Sequence, residues 1–352
     1  MANSVVMPRL LSRYRREVEQ GLRRSLSSIL ISTGAVIGMG SPLCRMIYYH
    51  LGFQDQDGRS LEGYPGKLLR PSLLLFACEA LGGEPEAALP AAVALELVHS
   101  FSLAHDDLQD RDEERHGRPT AWRLFGPAQA INLGDGLREL GALTLFELEQ
   151  HSPPGVVLKA SKILAQATLE MIEGQTLDLD LEAKVEVKIE EYEMMALRKT
   201  GALFGAALEL GALFAGEDRE VLETFRDSGR SLGLAFQGRD DVLGIWGEQA
   251  RTGKAPKSDL LRKKKSLPIV LALEREGAEG PLHTIYRRRE FSEADLPRII
   301  ELLEGFDVRA VAEAWVERYS HQALAGLERL ALPDWARAEL KELVRFLMVR
   351  EY

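Results

Sequence analysis

The chain has 352 residues, with 44 Lys and Arg against 54 Asp and Glu, a formal charge of −10, 45% hydrophobic residues and two cysteines. That composition supports a large core and excludes an intrinsically disordered chain. The acidic balance argues against a nucleic-acid ligand, whose binding rests on Lys and Arg neutralising phosphates; Cys44 and Cys78 are too few for a disulfide scaffold, which points to a reducing cytoplasm.

In chain order, residues 9–30 read as a basic amphipathic helix, with Leu10, Tyr14, Val18, Leu22 and Leu26 near helical spacing. Residues 25–44 carry no charge and are long enough to span a bilayer. Ser, Thr, Gly and Pro interrupt that run, so a helix end followed by a loop is expected, and no transmembrane segment. Asp57-Gly58 and Tyr64-Pro65-Gly66 mark a loop. Residues 67–81 form an apolar helix that stops at Gly82-Gly83, and 86–109 an Ala- and Leu-rich one. Gly117, Pro119, Gly126 and Pro127 break the next stretch. Helices are expected over 137–150, 155–181, 187–215, 218–247, 265–277, 292–304, 308–330 and 334–350, with Ser292 and Asp295 as a capping signal. Alternating strands are scarce and no linker or repeat interrupts the chain. The expected class is therefore all-α, a single domain over 1–352 with 1–45 as an N-terminal helix and loop.

Two acidic clusters stand out. In His105-Asp106-Asp107-Leu108-Gln109-Asp110, Asp106 and Asp110 are four apart and share a helix face one turn from each other. Carboxylates that close repel unless a cation lies between them, and hard oxygen ligands suit magnesium, which bridges carboxylates to phosphates. His99 lies seven residues before Asp106, on the same face. A solvated acidic helix end is the plain alternative for this cluster alone. The second cluster places Gln237, Asp240 and Asp241 on one face of an otherwise apolar helix, where a carboxylate pair requires a metal or cation. The cationic counterparts are Lys67 and Arg70 in GKLLRP, the run Arg111 to Arg118, and Gly253-Lys254 followed by Lys263-Lys264-Lys265. Carboxylates, magnesium and these cations together describe a diphosphate site.

In these motifs the sequence resembles the trans-isoprenyl diphosphate synthases, the polyprenyl synthetase family, from about residue 45 to the C-terminus. The likeness is carried by GKLLRP at 66–71, the helix 96–120 with its aspartate-rich motif, INLGDGL at 131–137, EGQTLDL at 173–179, LRKTGALF at 197–204, GLAFQGRDDVLGIWG at 233–247, TGK at 252–254 and KKSLP at 264–268. The resemblance implies a helical bundle around a deep cavity (the isoprenoid synthase type I fold), usually a homodimer, with three magnesium ions when substrate is bound. It implies that an allylic diphosphate ionises and that the double bond of isopentenyl diphosphate attacks the carbocation. The released diphosphate then takes the lost proton. By position, Asp106, Asp107 and Asp110, and Asp240 with Asp241, resemble the metal-binding acids, with Asp107 and Asp241 supporting. Arg115, Lys199, Lys254 and Lys264 resemble the allylic-diphosphate residues; Gly66, Lys67, Arg70 and His99 resemble the isopentenyl-diphosphate anchors. Thr200 and Gln237 resemble groups whose oxygens lie near the developing cation.

The sequence departs from the family in three places. His116 stands where a second arginine usually helps hold isopentenyl diphosphate, and replaces it fully only when protonated. Leu68 stands where Arg is common, and Gly244 where the second motif usually ends in Asp. Phe101 and Ser102, five and four residues before Asp106, occupy the family's chain-length gate. An aromatic there with an uninterrupted motif resembles the short-chain enzymes, geranylgeranyl diphosphate synthases first and farnesyl diphosphate synthases next. A class I terpene cyclase and a non-catalytic partner subunit are the other readings. The form of the second motif opposes the first, and the intact acidic pairs oppose the second.

Overall fold

The computed structural model describes residues 7–32, 40–216, 218–247, 258–288 and 292–349, and these are overwhelmingly helical. Its residues group into two compact units, one of Met7–Ala165 with Ala206–Glu223, the other of Gln166–Gly205 with Thr224–Tyr352.

The first unit begins with α1 (Arg9–Arg13) and α2 (Arg15–Ser32). Leu10, Val18, Leu22 and Leu26 are all buried, as their spacing predicts. Of the uncharged run 25–44, the first part is the end of α2, residues 33–39 lie outside the described residues, and Ser41 opens α3 (Pro42–His50). There the Ser41 side chain accepts a hydrogen bond from the Cys44 N–H at 3.1 Å, a helix start where a loop was expected. An irregular loop then leads to α4 (Leu69–Ala80) and α5 (Pro85–Gln109). α5 is the unit's core helix, apolar on nearly every side from Ala88 to Ala104 and packed against α2 and α4. Each fully buried Leu or Val in it contributes about 2 kcal/mol. Among the described residues α5 is the one helix long and apolar enough to cross a membrane, but most of it is buried in the core and it ends on Asp106 and Asp107. The short hairpin of β1 (Glu114–Arg115) and β2 (Arg118–Pro119), the helix α6 (Ala121–Phe125), and α7 (Pro127–Phe146) follow. α7 lies along α5 and begins ten residues before its expected start at 137, because Pro127 occupies the first helical position, where a missing N–H costs nothing. Cys44 and Cys78 are both buried free thiols. Burial pushes the Cys78 thiol up to about 12.

The second unit takes the C-terminal part of α8 (Pro154–Ala183), then α9 (Ile189–Ala196), a π-helical turn over Leu197–Gly201, the start of α10 (Ala202–Ala215) and most of α11 (Arg219–Trp246). The expected continuous helix over 187–215 is thus interrupted. Its core joins Tyr192, Leu234, Val242, Leu267 and Trp315, and a second cluster forms under the helices Pro281–Arg287 and Leu296–Gly305. Ser292 and Asp295 form the expected reciprocal cap.

Candidate active site

In the first unit the last turn of α5 carries the acidic cluster. Asp110 caps the helix, its N–H donating to the Asp106 carbonyl at 2.8 Å, so the two carboxylates sit one turn apart and are both half-buried. Asp107 points the other way, is 1% exposed, and meets Arg115 through Nε and Nη2, each 2.7 Å from Oδ1. Burial pushes the Asp107 carboxyl up to about 6, with the Arg115 guanidinium pulling against it. Arg115 is held out for this contact by the β1–β2 hairpin, in which Arg115 pairs with Arg118. Its two-residue turn is His116-Gly117, both at positive φ (53° and 69°), the primed geometry that matches strand twist. Gly117 accepts that backbone freely, and histidine is among the side chains that tolerate it.

The residues expected from the resemblance to anchor isopentenyl diphosphate lie in the same unit. Arg70 Nη1 lies 3.1 Å from His99 Nε2. Arginine only donates, so Nε2 accepts and His99 carries its proton on Nδ1. Burial, with Arg70, Arg115 and His50, holds the His99 pKa well below the ordinary value. Lys67 is half-buried beside Gly66 in the loop before α4. His116 is also lowered, first by burial and then by Arg115, Lys67 and Arg118, so these cations keep it neutral near pH 7 and oppose the protonated stand-in. His50, which no sequence motif marks, lies beside these cations as a neutral ring: its Nε2 donates to the Ser100 carbonyl at 2.9 Å, and burial lowers its pKa to about 4. Phe101 is buried, its ring edge-on to His105 at 5.1 Å, and Ser102 Oγ donates to the His99 carbonyl.

In the second unit the carboxylates of α11 divide in the same way, Asp240 exposed and Asp241 buried. Asp241 accepts from Tyr192 Oη at 2.7 Å, the Leu267 N–H at 2.8 Å and Gln237 Nε2 at 2.9 Å. Burial pushes it up to about 6 against those three donors and Lys264. Thr200 Oγ1 donates to Gln237 Oε1 at 2.6 Å, which fixes the amide orientation and sets two oxygens side by side. Thr200 and Lys199 belong to the π turn, a form of helix that recurs at functional sites. α8 approaches that turn so closely that a Cβ on Gly174 would lie 2.0 Å from the Lys199 nitrogen, so only glycine fits.

Asp178, a buried acid beside two of the expected site lysines, was left without a role by motif matching. It is buried on α8, its carboxylate 2.5 Å from Lys199 Nζ and 3.6 Å from Lys264 Nζ. The signal was its place in EGQTLDL, where an acid follows an apolar residue on an inward face. Lys254 lies outside the described residues.

The carboxylates of each unit, taken separately, fit magnesium: Asp106 with Asp110 in the first, and Asp240 in the second, present oxygens that are not shut in the core. Among the described residues no three His, Cys, Asp or Glu side chains close into a cage. Hard carboxylate oxygens of this kind suit an ion that keeps its waters and shares itself with phosphate oxygens.

Residues 59–303 match the polyprenyl synthetase family model. The chain belongs to the polyprenyl synthetase family. It is 40% identical over 311 residues to the (2E,6E)-farnesyl diphosphate synthase of Mycobacterium tuberculosis, covering 87% of this chain and 86% of that one. It is 36% identical over 331 residues to the geranylgeranyl diphosphate synthase of the same organism, covering 94% and 89%. The crystal structure of a polyprenyl synthetase from Streptomyces coelicolor A3(2) superimposes with a TM-score of 0.85 at 36% identity, covering 97% and 99%. As a member of the family, the chain is a trans-prenyltransferase, an isoprenyl diphosphate synthase.

Proposed function

We propose that this synthase condenses isopentenyl diphosphate with an allylic diphosphate to make geranylgeranyl diphosphate, as a single domain over the whole chain. The observation that carries the reading is the repeated split of an aspartate pair into one accessible and one buried, hydrogen-bonded carboxylate. Asp106, Asp110 and Asp240 hold magnesium; Asp107 and Asp241 fix what lies behind them. Bound magnesium supplies positive charge to a departing diphosphate. Lys199 and Lys264, together with Arg115 and Lys254, neutralise the allylic diphosphate; Lys67, Arg70 and His99 orient isopentenyl diphosphate through charge-assisted hydrogen bonds. The allylic C–O bond breaks with its electron pair leaving on diphosphate. Thr200 Oγ1 and Gln237 Oε1, 2.6 Å apart, offer partial negative charge to the cation left behind. The isopentenyl double bond then forms the new C–C bond, and the released diphosphate accepts the proton. A farnesyl product is the second reading, favoured by the likeness to the mycobacterial farnesyl enzyme. We also infer a cytoplasmic homodimer. Two buried free thiols support the first, and the second is supported by exposed Ile131, Leu143 and Phe146 on α7.

Purified chain incubated with magnesium, isopentenyl diphosphate and dimethylallyl, geranyl or farnesyl diphosphate tests the reading. Chromatography of the dephosphorylated products should show one all-trans alcohol, longer than the starter by whole isoprene units. No elongation of any starter would sink it. Phe101→Ala should lengthen the product in the same assay by at least one unit, because a buried aromatic on α5 would no longer limit chain growth. An unchanged product distribution removes Phe101 as the gate. For His116→Arg, a permanent charge replaces a ring that is neutral at pH 8. The Michaelis constant for isopentenyl diphosphate should fall about fivefold there. The gain should shrink below pH 6, as the lowered His116 pKa is approached and the wild type gains its own proton. Equal constants at every pH would take His116 out of the site.

A further inference from the structure

The mechanism makes no use of α2, which lies before the 59–303 segment that matches the family model. Yet α2 holds the loop that presents Lys67. Arg15, half-buried at the start of α2, donates through Nη1 to the Gly66 carbonyl at 3.0 Å and through Nη2 to the Tyr64 carbonyl at 2.5 Å. Two turns along, Arg23 donates to the Leu61 carbonyl at 3.2 Å and lies over the Phe53 ring at 4.0 Å. The side chain of Tyr64 completes the hold from the other side, its hydroxyl donating to Glu96 on α5 at 2.9 Å. The loop requires such support. Leu68, directly after Lys67, sits at φ 52°, a backbone conformation that an L side chain adopts only when its surroundings impose it.

We propose that Arg15 is a positioning residue for isopentenyl diphosphate. Its planar fork fixes the Tyr64 and Gly66 carbonyls, and so fixes where Lys67 leaves the main chain. The inference rests on the reading of Lys67 and Arg70 as the anchors of that substrate. Two carbonyls two residues apart match the parallel donors of a guanidinium and not the single point charge of an ammonium. A loosened anchor misplaces one substrate and leaves the other where it was.

The test compares wild type, Arg15→Ala, Arg15→Lys and, as a control, Arg16→Ala, an exposed neighbour on α2. Isothermal calorimetry with isopentenyl diphosphate alone is followed by steady-state kinetics on both substrates. Arg15→Ala should weaken isopentenyl diphosphate binding and raise its Michaelis constant about tenfold, with the allylic constant within about twofold. Arg15→Lys should fall between, and Arg16→Ala should match wild type. Unchanged isopentenyl constants in Arg15→Ala, or constants for both substrates rising together, overturn the proposal. Should Arg15→Ala lose its helical circular dichroism, Arg15→Lys decides alone by the same split. A wild type that binds no isopentenyl diphosphate sinks the anchor assignment and this inference with it; one that binds it as tightly as Arg15→Ala does refutes only the role of Arg15.

Discussion

Asp106→Asn is expected to lower kcat about a thousandfold. The amide keeps the size of the carboxylate and its place in the last turn of α5, so only the charge is lost. Asp110, whose N–H is tied to the Asp106 carbonyl at 2.8 Å, stays one turn away but is left as a single acidic ligand where two were spaced for one ion. The half-saturating magnesium concentration should rise in parallel. Stability should change little, within about 1 kcal/mol, because the amide keeps the size of a half-buried carboxylate in the last turn of the helix. Asp107→Asn makes the contrast. Its carboxylate is buried against Arg115, and neutralising it leaves a cation without its partner, a loss of about 3 kcal/mol with a smaller change in magnesium dependence. Kinetics over a magnesium titration, together with thermal midpoints of the metal-free proteins, separate the two. A kcat for Asp106→Asn within tenfold of wild type would falsify its assignment as a metal ligand.

The sequence made the chemistry more legible than its housing. Asp106 and Asp110, Asp240 and Asp241, and Arg70 with His99 were singled out by spacing and motif, and the structure sets Arg70 against His99 and leaves Asp106, Asp110 and Asp240 more open than Asp107 and Asp241. Spacing alone did not show which acid of each pair faces inward, because that depends on partners far away in sequence, Arg115 for Asp107 and Tyr192 with Leu267 for Asp241. The helix starts at Pro42, Pro127 and Pro281 were missed for one reason. Each proline follows a Ser or Gly, a pair that reads as a loop, yet proline at the first helical position begins a helix as readily as it ends one. The π turn at Leu197–Gly201 was invisible for a different reason. Leu197, Arg198 and Lys199 favour an ordinary helix and a lone Gly201 does not announce a change of pitch, while the close approach of α8 at Gly174 to the Lys199 backbone involves another helix. Asp178 and Lys265 were hidden likewise: an acid in an apolar helix and the third of three lysines look like surface charges until burial is known.

A stability effect as large as that of Asp107→Asn should come from Asp178→Asn. Burial alone would raise this carboxyl, but Lys264 and Lys199 hold it well below the ordinary carboxylate range. The sign follows directly. The folded-state value is depressed below the unfolded value near 3.8, so the ionised group stabilises the fold at all pH values above that, and the contribution is lost only as pH falls through the lower folded value. At pH 7 the variant should therefore be less stable by about 3 kcal/mol, since two partly buried ammonium groups lose a shared counter-charge that is itself buried. The gap should close in strong acid, where the wild-type carboxyl also becomes neutral. Activity should fall for a separate reason. Lys199 and Lys264 are drawn to Asp178 at 2.5 and 3.6 Å, and on the proposed reading its loss weakens their hold on the allylic diphosphate. We expect kcat/KM for the allylic substrate to drop about a hundredfold, while the Michaelis constant for isopentenyl diphosphate, whose anchors lie in the first unit, stays close to wild type. Adding Lys264→Met removes one of the two cations that faced Asp178, so the double variant should regain part of the lost stability and none of the lost activity. Urea unfolding at pH 7 and in acid, with kinetics on both substrates, reads all of these. A variant as stable as wild type at pH 7, with allylic kcat/KM within threefold, would show that the two lysines do not depend on Asp178.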